Sequence, residues 1–305
     1  MELVLNSPRA LFLSTRPQSL VGALIPVLLG SCLAFSHDSW DLTTALLCAG
    51  FAASLQVTAN MINDYYDLKK GADVPDKDDM GRVYANGWIT LKALGWITAL
   101  SAFMAVAFAA AVFSRQHDLL PYQGWELVGM AVLCLLGSVL YSSFFSYAGM
   151  GDVLVLFFFG LVPVCGTYYL QAHTLSTEVV ALSLISGVVI DTMLAINNYR
   201  DMEIDREHHK NTLVVRCGKT FGKWLYLALG IAAALLTLLL ACMGTFSLWS
   251  ALGIVIIYLT LHTATWQQML NTDTSSNISA ILYGGNARNM TLMGLLLSAA
   301  ILWTS

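Results

Sequence analysis

Charge is scarce in this sequence. Asp, Glu, Lys and Arg supply 11% of its 305 residues, where soluble domains carry about 25%. Hydrophobic residues supply 57%, and the mean hydropathy is +0.68. Water cannot solvate so much apolar surface and lipid can, so the composition excludes a soluble class. Paired cysteines are lacking too. Cys32, Cys48, Cys134, Cys165, Cys217 and Cys242 form no CxxC pair, and no His stands at metal-ligand spacing, which argues against a disulfide framework or a zinc site. Most lie in apolar runs, where free Cys behaves as a small hydrophobe. A cleavable signal peptide is not expected either, because the first apolar run follows Arg9 and Arg16 and is long enough to span a bilayer.

What is abundant is long apolar runs. A membrane helix needs about 20 mostly apolar residues, and such runs lie near 19–36, 42–62, 91–113, 125–142, 150–171, 179–198, 224–243, 247–266 and 287–303. The expectation is an all-α integral membrane protein of about nine transmembrane helices forming one domain over residues 1–305. With the N-terminus in the cytoplasm, 14 basic residues fall inside and only Arg115 outside. That asymmetry sets the orientation and puts two long polar loops, 63–90 and 197–223, on the cytoplasmic side.

The starts of those loops match. One reads Asn63-Asp64-Tyr65-Tyr66-Asp67, the other Asn197-Asn198-Tyr199-Arg200-Asp201, and an arginine follows each last Asp by 15 residues, Arg82 and Arg216. The parallel reads as an internal duplication. At about 100° per residue, Asn60, Asp64 and Asp67 fall on one helix face, as do Asn198, Asp201 and Asp205. Carboxylates at membrane depth are costly and face a bundle interior or a wet cavity. Two such faces repel each other unless a cation lies between them, and oxygen ligands without His or Cys suit Mg²⁺, which fills its remaining positions with water and substrate phosphate. Nearby Lys69, Lys70, Arg82, Lys210 and Arg216 make sense if the cargo is a diphosphate. Lys69, Lys70, Asp76, Lys77, Asp78 and Asp79 also read as an ordinary solvated loop.

On these residues the sequence resembles the UbiA superfamily of intramembrane aromatic prenyltransferases, and within it the naphthoate prenyltransferases of menaquinone synthesis. The likeness extends to Arg16-Pro17 with Pro26 to Gly30, to Asp73, to Gly149-Met150-Gly151-Asp152, to Gly166-Thr167-Tyr168-Tyr169, and to Lys210 through Arg216. Two stretches depart from it: Val83-Tyr84-Ala85-Asn86-Gly87 lacks the usual Gln, and loop 141–148 lacks the usual proline. The resemblance implies a polyprenyl diphosphate donor, an aromatic acid acceptor that loses its carboxylate, a lipid bilayer as surroundings and no nucleic acid partner. It implies Mg²⁺ on Asn63, Asp64, Asp67, Asp73, Asn198, Asp201 and Asp205, with Arg82, Lys210 and Arg216 gripping the diphosphate. Asn60, Tyr65, Tyr141, Tyr169, Asn197 and Tyr199 are substrate-binding candidates, although membrane tyrosines also serve as interfacial anchors.

Asp191 lies seven residues before Asn198, two turns deeper on the same helix face. It reads either as a catalytic group that orients the acceptor hydroxyl or takes its proton, or as a hydrogen-bonded structural Asp. A transporter would also place acids within a bundle, but near the midplane and on broken helices; here only Asp191 lies deep. Within the resemblance, 4-hydroxybenzoate and homogentisate are alternative acceptors. The expected place is the inner cell membrane, with the active site facing the cytoplasm.

Overall fold

A computed structural model describes residues 4–69, 83–271 and 281–304, with only the backbone described at positions 18, 67, 142, 143, 282 and 283. Among these residues all regular structure is helical: α1 Pro8–Ser14, α2 Pro17–Ser36, α3 Leu42–Lys69, α4 Leu91–Gln116, α5 Trp125–Leu140, α6 Gly151–Ala172, α7 Thr177–Arg200, α8 Met202–Glu207, α9 Leu213–Cys217, α10 Lys219–Cys242, α11 Leu248–Leu270 and α12 Ala287–Trp303. Local chemistry starts several of them. The hydroxyls of Thr90, Ser176 and Ser247 accept from the amides of Ala93, Val179 and Ser250 at 3.2, 3.2 and 3.1 Å, satisfying donors that a helix start leaves open.

Among the described residues seven helices, not nine, are long and apolar enough to cross a membrane: α2, α3, α4, α6, α7, α10 and α11. The other two expected runs are helices in the expected places but are short. α5 has 16 residues and α12 has 17, about 24–26 Å at roughly 1.5 Å per residue, against about 30 Å of hydrocarbon. Each adjoins a π-helical stretch, Tyr141–Phe145 after α5 and Ile281–Asn286 before α12.

α7 is the central post, packing on α2, α6, α10 and α12, with Val179, Leu182, Ile185, Val189 and Ile190 in the main core. The outward faces carry Trp96, Leu100 and Phe103 on α4, Leu235 and Leu239 on α10, and Ile256 on α11, all exposed. In water such a girdle would be an aggregation surface. Against lipid it is solvated, so the chain is an integral membrane protein. Arg115 pairs with Asp41 at 3.1 Å. The Thr44 hydroxyl, ahead of the guanidinium, holds the Asp41 carboxyl below the usual carboxylate range.

The seam between α6 and α7 shows how sequence sets register. A Cβ at Gly160 would lie 2.6 Å from the Ser183 carbonyl, and one at Gly187 would lie 3.0 Å from the Leu156 Cα, so only glycine lets the backbones approach this closely. Within the seam α6 is π-helical over Leu156–Leu161. Pro163 has no N–H for the Phe159 carbonyl, and the Ser186 hydroxyl donates to that carbonyl instead, at 3.0 Å. Gly160→Val should therefore destabilise by about 1–3 kcal/mol through overpacking, and Ser186→Ala by about 1 kcal/mol. Both are read as lower melting temperatures in detergent; a Gly160→Val protein that melts like the parent contradicts this register.

Candidate active site

The C-terminal ends of α3 and α7 open on one cavity of about 440 Å³. Its polar end is walled by Arg16, Asn60 and Asn63 from one side and by Asn197, Asn198, Arg200, Asp201, Asp205 and Lys210 from the other. Below these the wall turns apolar, with Phe51, Val112, Met130, Phe158 and Leu170 among its residues.

On the α3 side, Asn60 is fully engaged. Its amide donates to the Thr15 carbonyl at 3.2 Å and the Ser19 hydroxyl at 2.8 Å, and its oxygen accepts from Gln56 at 3.0 Å. It thus ties α3 to the start of α2. Asp64, 2% exposed, is ion-paired to Arg16. Arg16 sits between α1 and Pro17 in the left-handed region, φ 52°, a conformation that costs a non-glycine residue about 1–3 kcal/mol. Tyr65 is exposed and meets Tyr66 edge-on rather than lining the cavity. Of Asp67 only the backbone is described, and Asp73 and Arg82 lie outside the described residues.

The α7 side differs from the expected single helix face. α7 ends at Arg200, Asp201 takes φ −92° and ψ 6° as a cap, and Asp205 rides on the separate α8. The Arg200 guanidinium donates to both Asp201 oxygens, at 2.8 and 2.7 Å. Lys210 stands 3.6 Å from Asp205, which is 3% exposed. The two matched tyrosines part company: Tyr199 is 1% exposed and packs with Ile196, Tyr226, Met269 and Ile281, away from the cavity. Tyr199 lies on the face of α7 that packs against α10, whereas Tyr65 lies on an exposed face of α3.

Other expected residues scatter. Tyr141 lines the cavity. Tyr169 does not, and its hydroxyl donates to Glu126 at 3.3 Å. Arg216 is off the wall and donates to the Ala148 carbonyl at 2.7 Å, pinning loop 146–150. Asp191 is 2% exposed and stands behind the wall formed by Ile190, Met193 and Leu194. The wall also holds Asp152, Arg16 and Arg200. Each was visible as a motif residue, at the start of the first apolar run, inside the second pentad, or as an acid in an apolar stretch, yet periodicity assigned none of them a role.

Among the described residues no three His, Cys, Asp or Glu side chains gather closely enough to cage a metal. The donor set still fits Mg²⁺, which takes one or two carboxylates and completes its shell with water and substrate phosphate. Asp201, Asp205 and Asn198 on one side of the wall, with Asn63 on the other, supply oxygen donors of that kind.

A profile of the UbiA prenyltransferase family matches residues 23–303. The chain belongs to the UbiA prenyltransferase family. One relative in it, 1,4-dihydroxy-2-naphthoate octaprenyltransferase of Escherichia coli (strain K12), is 33% identical over 239 residues, 78% of this chain and 76% of that one. Among solved structures, the apo form of a UbiA homolog from Aeropyrum pernix K1 superposes with a TM-score of 0.68 at 15% identity, covering 93% of this chain and 97% of that one. A UbiA homolog from Archaeoglobus fulgidus bound to GPP and Mg²⁺ gives 0.62 at 14% identity, covering 95% and 99%. At these identities the structural likeness speaks for the UbiA fold alone.

The two matched tyrosines should respond differently to truncation. Tyr199→Ala is expected to cost about 3–5 kcal/mol of stability, the usual loss for a buried aromatic, whereas Tyr65→Ala should leave melting within about 0.5 kcal/mol of the parent. Thermal melts in detergent check this; equal losses would contradict the placement of Tyr199 in the core.

Proposed function

We propose that this protein transfers a polyprenyl group from polyprenyl diphosphate to 1,4-dihydroxy-2-naphthoate, with loss of the carboxylate, giving demethylmenaquinol. One observation carries the reading: Asn63 of the first motif and Asn197, Asn198, Arg200 and Asp201 of the second, with Arg16, Asp205 and Lys210, wall the polar end of a single cavity whose remainder is apolar. A diphosphate head with a long hydrocarbon tail has that same division. The naphthoate acceptor follows from the name and the 33% identity of the Escherichia coli relative.

In this reading Asn63, Asp64, Asp67, Asp73, Asn198, Asp201 and Asp205 are the residues that would hold Mg²⁺ against the diphosphate. When bound, Mg²⁺ supplies a Lewis acid that shares the charge of the departing diphosphate. Lys210 and Arg200, with Arg82, add charge that stabilises the anion as the C–O bond breaks. Arg16 belongs with them, because it reaches the cavity while bound to Asp64. Arg216 contributes by holding the Ala148 loop over the site. The apolar wall keeps water from the allylic cation, and the Tyr141 ring on that wall offers it an electron-rich face. The strong excess of basic residues on one side of the predicted spans supports an inner-membrane protein with its N-terminus and active site on the cytoplasmic face. The chain acts as one membrane-embedded domain.

Membranes carrying the protein, given radiolabelled polyprenyl diphosphate and Mg²⁺, should prenylate 1,4-dihydroxy-2-naphthoate in preference to 4-hydroxybenzoate or homogentisate. Chelator should abolish the product and added Mg²⁺ restore it. Asp201→Ala is expected to lower turnover by about 100-fold or more, the scale seen when a group stabilising transition-state charge is lost. Product undiminished in chelator would refute the metal role, and preference for another acid would refute the acceptor.

A further inference from the structure

Two carboxyl groups inside the bundle remain outside the metal and diphosphate roles, Asp152 on α6 and Asp191 on α7. The glycine seam sets them face to face. Gly160 lies against Ser183 and Gly187 lies against Leu156, so positions descending along α6 meet positions ascending along α7. One turn beyond the Leu156–Gly187 contact, Asp152 comes opposite Asp191. Asp191 is 2% exposed and its Oδ1 has no hydrogen-bond partner. Asp152 is on the cavity wall, and its own Oδ1 is buried and unpartnered as well. A buried acceptor without a donor costs about 1–3 kcal/mol, and an ionisable residue within a span marks function by default. Packing explains neither.

Height along the cavity gives the pair a meaning. Asp191 is seven residues below Asn198, about 10 Å at roughly 1.5 Å per residue. The cavity therefore carries cations, Arg200 and Lys210, at one level and a carboxylate two turns deeper. An aromatic hydroxy acid placed between them has its carboxylate drawn up and its hydroxyl directed down. Asp191 is buried behind Asp152, off the cavity wall, and so limits the positions that the Asp152 carboxyl can take.

We propose that Asp152 receives the hydroxyl of the aromatic acceptor as a hydrogen-bond acceptor, with Asp191 as the positioning residue behind it. This rests on the aromatic-acceptor reading above and adds which wall reads which end of the acceptor. The hydrogen bond draws electron density toward the ring as the carbon–carbon bond forms, and no proton need leave the pair's surroundings.

The test compares acceptors. For 1,4-dihydroxy-2-naphthoate, Asp152→Asn should lower kcat/KM by about 10–100-fold, the scale of a lost hydrogen bond to a charged group, with the KM for polyprenyl diphosphate unchanged. For one of the two monohydroxy naphthoates, the one lacking the hydroxyl that Asp152 binds, the same substitution should cost less than about twofold. Asp191→Asn should raise the acceptor KM alone, Asp191→Glu should recover part of it, and the double variant should match Asp152→Asn. A penalty equal for all acceptors, a changed donor KM, or additive losses in the double variant would overturn the proposal. If the protein prenylates 4-hydroxybenzoate instead, the naphthoate reading fails, and Asp152 is then judged by whether its substitution equalises inhibition by 4-hydroxybenzoate and its methyl ether. If no aromatic acid is prenylated, both fall.

Discussion

Everything at the polar end of this bundle depends on acids and bases being interleaved residue by residue. Arg16 binds Asp64, Arg200 binds Asp201, and Lys210 stands by Asp205. A lone charge at membrane depth costs about 2.5–3.5 kcal/mol even on the mildest scale, and removing one partner of a buried pair costs about 3–5 kcal/mol. The pairing makes such a dense set of carboxylates tolerable at the edge of a low-dielectric slab. It also leaves cations and anions at the same height, the arrangement needed to receive a metal and a diphosphate together without a large change in local charge.

The scaffold serves that end. α7 is buried along its length and carries one motif at its C-terminus, while α3 brings the other to the same cavity. The glycine contacts of α6 against α7 bring a third wall close, and the π-helical turns near Tyr141 and Phe158 fall in segments that line the cavity. π-helical turns recur at functional sites because they re-aim side chains without ending the helix. Here they sit where Gly and Pro interrupt the apolar pattern.

Much of this was legible beforehand. Among the described residues all nine apolar runs are helical, because long apolar stretches admit little else in lipid, and the meeting of Asn63, Asn198 and Asp201 on one cavity wall follows from their repeated motif. Periodicity failed where it assumed one straight helix. α7 stops at Arg200, so Asp201 and Asp205 reach the cavity from a cap and a second helix, and Tyr199 lies on the face of α7 packed into the core. It failed again at Asp191, which shares a helix face with Asn198 but is screened by Ile190, Met193 and Leu194. Only tertiary packing distinguishes that residue from Asp152, its neighbour on the wall. The run 125–142 overstates α5 by two residues because its end continues as a π-helical turn that hydropathy cannot tell from α-helix, whereas 287–303 is α12 as observed.

The central claim is that two helix ends form one diphosphate site. The most direct measurement is the dissociation constant of a non-reactive prenyl diphosphate analogue, with Mg²⁺ present, for Asp64→Asn, Asp201→Asn and the double variant. Groups sharing one ligand couple by about 0.5–3 kcal/mol, whereas independent sites add within about 0.5 kcal/mol. Weakened binding in each single variant, with a double variant that loses clearly less than their sum, is the predicted result. Additive losses, or unaltered binding when either aspartate is replaced, would contradict it.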